Sequence, residues 1–237
     1  MRADSIVGTV RGLHRYPVKS LAGESLRTVS VDQRGVAGDR LWAVLDHDGK
    51  LGSGKSSRRF RRMDGLLRLT ATLDGEVPVV GFPDGRRRRV DEGATAGAIS
   101  AHVGRPVTLG RERSLPHHDE GPVHLVTTSS LAAARDALGR DVPPPRMRPN
   151  LVLDTGSEPV LLEDGWVGRR LAVGAEVVLD VRGPMQRCVM VSLDQVDLPP
   201  EPGLLGTLAA LNDTCLGVVL DVVHGGTVAV GDAVRLA

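Results

Sequence analysis

The sequence predicts a mainly β protein with a few helices, an α+β chain in which short strands and turns dominate. Hydrophobic residues make up 41% of the 237 residues while aromatics make up 2%, so the core must be built from Val, Leu, Ala and Ile rather than stacked rings. The chain also carries 29 glycines and 15 prolines, enough to end elements often. Many of its segments alternate apolar and polar residues with the period of a half-buried strand. The length suits one large domain or two small ones.

Residues 5–13 and 26–32 alternate as strands do, and 41–46 (LWAVLD) is an apolar strand followed by the turn signal HDGK. Residues 66–73 and 77–82 read as two further strands separated by DGE, and the Arg86–Arg89 run reads as a solvated hairpin tip. Residues 93–103 are the first helix candidate. The polar stretch from Gly110 to Pro122 separates two halves, placed at 1–112 and 113–237. The second half opens with VHLVTTSSLAAARDALG, a strand, a Ser or Thr cap and a helix ending at Gly139. PPPRMRPN reads as a rigid extended loop leading into the strand LVLD. Residues 166–184 and 218–237 alternate and turn on glycines, as a small antiparallel barrel would.

Thirty basic and 29 acidic residues leave a net charge of +1, which argues against a nucleic-acid binder, since that requires a clustered basic excess. Two cysteines in a chain of this size do not form a disulfide framework. The N-terminus has no signal-peptide pattern, and no apolar run approaches the roughly 18 residues of a membrane span. A cytoplasmic, membrane-free protein is the expectation.

Four short motifs carry candidate chemistry. In Tyr16-Pro17-Val18-Lys19-Ser20 a proline fixes the loop, and Lys19 and Ser20 can offer an ammonium and a hydroxyl to an anion. An ordinary surface lysine fits the same residues. In Gly38-Asp39-Arg40-Leu41-Trp42, Arg40 sits where a guanidinium can be held for a bidentate phosphate contact, or can simply pair with Asp39. Arg146 and Arg148 flank Met147 before Pro149-Asn150, so in an extended loop both would point the same way and cradle an anion, or lie on the surface. Cys188 follows Gln186-Arg187, and cations at Arg187 and Arg182 would favour its thiolate, the form that binds soft metals. Cys215, with no adjacent cation at the start of an apolar strand, reads as structural. The histidines, including the adjacent His117 and His118, make no zinc spacing with a cysteine. SGKSS at 53–57 lacks the first glycine of a phosphate loop, and no dinucleotide fingerprint is present.

Together these motifs resemble the MOSC family, named for the C-terminal domain of molybdenum-cofactor sulfurases, which includes the amidoxime-reducing component. YPVKSLAG and GDRLWAVLD are similar to its associated N-terminal β-barrel domain. RMRPNLVLD, EDGW, the Arg187-Cys188 pair, CLGVVLDV and GTVAVGDAVRL are similar to the MOSC domain, in order across roughly residues 5–237. The resemblance implies a MOSC β-barrel packed with an N-terminal β-barrel-like domain, and the molybdenum cofactor (Mo-molybdopterin) held between them. It implies Cys188 as metal ligand and catalytic residue. Lys19, Ser20, Arg40, Arg148, Asn150 and Arg187 would surround the pterin and its phosphate, with Ser129 of the 127–130 segment less securely placed.

The implied activity is a molybdenum-dependent oxidoreductase that reduces small N-hydroxylated substrates of the amidoxime or hydroxylamine type. The alternative is a cofactor carrier or a sulfur-transfer module using a Cys188 persulfide, and a third reading is a scaffold that has lost the cofactor. Gln186 departs from the serine that reducers of the family often carry two residues before the cysteine. Neither an iron–sulfur domain with clustered cysteines nor the pyridoxal-phosphate domain of the sulfurases is found in this sequence, so electrons are expected from an external electron-transfer protein.

Overall fold

The computed structural model describes residues 5–237. Residues 1–4, the beginning of the leading segment, lie outside them. Seven strands close into a barrel: β1 (Ser5–Arg15), β2 (Val123–Thr127), β3 (Leu151–Asp154), β4 (Arg170–Val173), β5 (Val177–Gln186), β6 (Cys215–His224) and β7 (Ala233–Leu236). Their order around the barrel is β3-β2-β6-β5-β4-β7-β1, and β1 pairs back onto β3. All pairings are antiparallel except β2 with β3, where helix α1 (Thr128–Leu138) makes the crossover that a parallel pair requires. The expected small barrel is therefore present, with one parallel pair.

Sequence chemistry explains these boundaries. The Thr127 side chain accepts a hydrogen bond from Ser130 N–H (3.1 Å), which caps α1. Gly139 ends the helix in the left-handed conformation (φ 75°) that glycine enters without strain. β1 bends twice, with register shifts between Ile6 and Gly8 and between Val10 and Gly12, and the bends let one strand pair with both β7 and β3. Alternate residues fill the interior, with Val10, Leu13, Leu125, Leu153, Leu171, Leu179, Leu220 and Leu236 packed around the buried Trp166.

The two halves exchange strands. β1 belongs to the barrel formed largely by the second half, while Gly226–Ala229 pairs with Thr28–Asp32 of the first. The rest of the first half forms two further sheets, from Trp42–Leu45 with its neighbours and from Thr70–Asp74, Val77–Gly81 and Arg87–Arg89. They enclose a second core of Val18, Leu21, Val44, Leu66, Leu69, Val80 and Ile99.

Two local expectations are corrected, and one further element is found. Leu66–Arg68 is a turn of 3-10 helix, entered from Gly65 in the left-handed conformation (φ 92°) and closed by Leu69 N–H on Leu66 O. Pro144–Met147 is also a 3-10 turn rather than extended loop. A helix at Leu204–Asn212, buried through Leu204 and Leu208, was not anticipated. No helix among the described residues is long and apolar enough to cross a membrane.

Candidate functional site

A cleft opens where the Tyr16–Ser20 and Gly38–Arg40 loops meet the Arg146–Asn150 loop and the segment leaving β5. Lys19, Ser20, Arg40, Arg148, Asn150, Arg187 and Cys188 all line it, so loops 108 residues apart or more in sequence converge on one place. Ser129 does not join them. It lies in α1, and its hydroxyl is shared with Thr155 Oγ1 (2.8 Å), while the neighbouring Thr127 and Ser130 hydroxyls donate to buried Glu163 (2.6 Å each). That segment braces helix against barrel.

Tyr16 organises the N-terminal wall. It is buried, its hydroxyl donates to Pro149 O (3.1 Å), and its N–H donates to Asp39 Oδ1 (2.7 Å). The guanidiniums of Arg148 and Arg40 stack on its ring at 4.4 and 4.8 Å. Arg40 also bonds Asp39 Oδ2 and donates to Arg148 O (3.2 Å). Ser20, Arg40 and Arg148 all have positive φ (66°, 52° and 51°), half of the non-glycine residues in that conformation among those described. Such strain is held only where surrounding contacts enforce it, and it concentrates at functional sites.

The cleft carries an unbalanced positive charge. Lys19 is buried and pairs with Asp119; burial pushes it down to about 8 despite that partner, and Arg40 and Arg148 add repulsion. Arg148 is held down at about 10, first by burial and then by Arg40. Arg187 is pushed down to about 9 by burial. Burial alone would depress Arg40 too, but the Asp39 carboxylate outweighs it and its pKa is raised. Two carboxylates pair with these four cations among the described residues, Asp39 with Arg40 and Asp119 with Lys19, and Glu120 also lines the cleft. Arg148 Nη2 is buried with no hydrogen-bond partner, a costly state for a charged donor unless a ligand supplies the acceptor. The cleft has a volume of about 90 Å³, room for a small anionic group. An unsatisfied guanidinium inside a cation excess fits a phosphate-bearing cofactor.

The predicted residues divide into two kinds. Lys19, Arg40 and Arg148 present charge to the cleft. Arg187 and Asn150 hold the walls: Arg187 donates to Leu216 O and Met147 O (2.9 Å each) and bonds His124 Nε2. The Asn150 side chain donates to His14 O (3.2 Å) and accepts from His124 N–H (3.2 Å). Burial, then Arg187, keeps His124 well below the usual histidine range. It is neutral, its Nε2 accepts from Arg187, and its Nδ1 is left as donor toward Arg148 O (3.4 Å). Gly217 makes this crossing possible, because a Cβ there would collide with Leu125 O and lie 2.9 Å from His124 Nε2.

Cys188 lines the cleft and Cys215 does not; both are free thiols. Burial pushes the Cys215 thiol up, in keeping with a structural role. Arg182 does not attend Cys188, since it is committed to Asp221 and to Glu120 O. Arg146 and Arg148 diverge because the 3-10 turn replaces extended chain; Arg146 turns inward to Val191 O (3.3 Å). The Asp39–Arg40 pair, one of the two readings of that motif, is present. Tyr16 was not singled out from the sequence, and Asp119 and His124 carry no local signal.

Comparison with known proteins follows the same outline. Residues 112–235 match the family model described as MOSC domain, and residues 7–85 match that described as MOSC N-terminal beta barrel domain. No curated protein matches the chain. Among solved structures, the YUAD protein from Bacillus subtilis is similar at TM-score 0.53 and 16% identity, over 97% of this chain and 94% of that one. YiiM from Geobacillus stearothermophilus aligns at TM-score 0.38 and 15% identity, over 49% of this chain and 54% of its own. At such identities the likeness to YUAD speaks for the fold alone.

Proposed function

The chain belongs to the MOSC domain family, associated with molybdenum-cofactor binding or sulfur transfer, and on that premise we propose that it is a molybdenum-cofactor oxidoreductase reducing small N-hydroxylated compounds. The observation that carries this reading is the pairing, in one cleft, of a single thiol at Cys188 with the cations Lys19, Arg40 and Arg148, one of which has an unmatched buried donor. A soft ligand beside an anion cradle is what a metal held by a phosphorylated organic group requires.

The bound cofactor supplies the two-electron redox chemistry at the metal. Cys188 would ligate the metal through Sγ. Lys19, Arg40 and Arg148 would hold the phosphate, with the Tyr16 ring fixing the last two so that little side-chain freedom is lost on binding. Arg187 anchors the residue preceding the ligand to the main chain of β6 and of the Arg146–Asn150 loop, so metal ligand and phosphate site keep a fixed spacing. The overall reaction consumes two electrons and two protons, breaks the N–O bond and releases water. An external one-electron donor protein acts twice per turnover.

The test is molybdenum analysis of protein from a molybdenum-replete host, with anaerobic loss of benzamidoxime measured on the same sample. Near-stoichiometric metal and turnover with reduced viologen, but none with NADPH alone, are expected. A fully loaded sample inert toward several N-hydroxylated substrates overturns the reading, and a cyanide-labile sulfur on Cys188 in that sample would replace it with sulfur transfer.

A further inference from the structure

Beside the cleft lies a second depression, a groove of about 960 Å³ running from the Asp48–Leu51 turn to the 111–117 segment. Lys50, Arg58, Arg111 and Arg113 line it, and among the described residues none of the four side chains forms an ion pair with a carboxylate. The groove's own acids are already neutralised from outside, Asp48 by Arg61 and Glu112 by Arg34 (2.6 Å). By contrast Arg86, Arg89, Arg170 and Arg182, on other parts of the surface, are each ion-paired. In a chain of net charge +1 the groove is thus a local basic excess. Its floor includes the apolar faces of Leu45 and Leu109, and at its rim Leu115 is 76% exposed.

Groove and cleft are separated by one aromatic ring. Phe60 is buried, with Lys19 and Lys55, which line the cleft, 4.9 and 5.0 Å from its centre, and Arg59, which lines the groove, 5.5 Å from it. Whatever docks in the groove therefore sits within a side chain's reach of the cleft wall. An unpaired basic rim around an apolar floor is complementary to a protein bearing carboxylates around an apolar centre. The charges steer encounter and orientation, and the small apolar contact lets the complex dissociate again. Nucleic acid matches this surface less well, since it rewards an extended basic track rather than a leucine-lined pocket.

We propose that this groove docks a small acidic one-electron donor protein that serves the cleft. The assignment rests on the reductase reading. Per turnover, two reduced donor molecules each give up one electron and leave oxidised, two protons are taken from solvent, the substrate N–O bond breaks, and the oxygen departs as water.

The experiment uses the cofactor-loaded protein, a reduced plant-type ferredoxin as acidic probe, and reduced viologen as a small donor that needs no docking surface. Arg58→Glu combined with Arg113→Glu alters two exposed, unpaired side chains and should leave the fold and the viologen-driven rate unchanged. The ferredoxin-driven rate and the ferredoxin affinity, read by titration calorimetry, should each fall roughly tenfold or more. Wild-type binding should weaken steeply with salt, and Arg87→Glu, on the remote hairpin, should change neither quantity. Three results would overturn the assignment: no ferredoxin binding by the wild type at low salt, equal loss in the Arg87→Glu control, or tighter binding of a duplex DNA at the same residues. Absence of viologen-driven turnover in the wild type is a different failure. It removes the reductase reading, while the calorimetric arm still decides whether an acidic protein docks here.

Discussion

Replacing Arg148 by methionine should stabilise the cofactor-free protein while removing its response to anions. Burial and Arg40 hold Arg148 at about 10 against its usual 12.5, which at ~1.4 kcal/mol per pH unit corresponds to about 3 kcal/mol of unfavourable charge. Methionine keeps most of the stem's packing and gives up the stack on Tyr16, worth about 1 kcal/mol. The left-handed backbone at this position is as strained for methionine as for arginine, so that cost cancels. The balance is about 2 kcal/mol of added stability, or a rise in Tm of about 4–8 °C for a chain of this size. The assay is thermal unfolding by circular dichroism of protein from a host unable to make the cofactor, in an anion-poor buffer with and without inorganic phosphate. Wild type should be stabilised by phosphate, and the variant should start higher and gain little. A variant that unfolds earlier than wild type and keeps the full phosphate response would refute the claim that Arg148 is an uncompensated cation awaiting an anion.

Lys19 gives a pH dependence of definite sign. Its folded value, about 8, lies below its usual 10.5, so between these values the unfolded chain binds more protons. The anion-free protein should therefore gain stability as pH rises from about 8 to 10.5, while phosphate stabilisation fades over the same range; a phosphate response flat across that window would contradict this. Gly217→Ala should cost about 2–4 kcal/mol, because φ is +79° and the new methyl meets Leu125 O and His124. Chemical denaturation showing less than 1 kcal/mol lost would mean that the Arg187–His124 crossing is less tightly packed than described. Arg40→Lys should lower cofactor occupancy roughly tenfold although charge is kept, since an ammonium can neither stack as flatly on Tyr16 nor fork to a phosphate. Neutralising Arg86–Arg89, which are paired or solvated on a hairpin, should leave occupancy alone, as metal analysis of both proteins would reveal.

What the sequence made legible was whatever is signalled locally. Thr127 and Gly139 mark the ends of α1 because a cap and a left-handed stop are chemical properties of single residues. The strands at 5–15 and 28–32 announce themselves by alternation, and those at 42–45 and 77–81 by apolar runs set beside turn signals. The Leu204–Asn212 helix does not, because LLGTLAALN is apolar nearly all round and carries no polar stripe to set the period. The 3-10 turn at Pro144–Met147 reverses what extended geometry implied, parting Arg146 from Arg148. In the cleft, Lys19, Arg40, Arg148 and Cys188 were readable because each stands in a motif with a stiffening or charged neighbour. Asp119 and His124 were not, since their partners Lys19 and Arg187 lie 100 and 63 residues away and only the closed barrel brings them together. Arg187 lines the cleft, but its hydrogen bonds to main-chain carbonyls make it a brace, a distinction that only side-chain geometry can draw.

On the proposed function, Cys188 and not Cys215 supplies the protein's ligand to molybdenum. X-ray absorption at the molybdenum edge on cofactor-loaded wild type, Cys188→Ser and Cys215→Ser tests it directly. Beyond the sulfurs that the pterin itself supplies, the wild-type metal should have one more sulfur neighbour, lost in Cys188→Ser and kept in Cys215→Ser. Identical spectra for wild type and Cys188→Ser, or loss of the sulfur in Cys215→Ser, would contradict it.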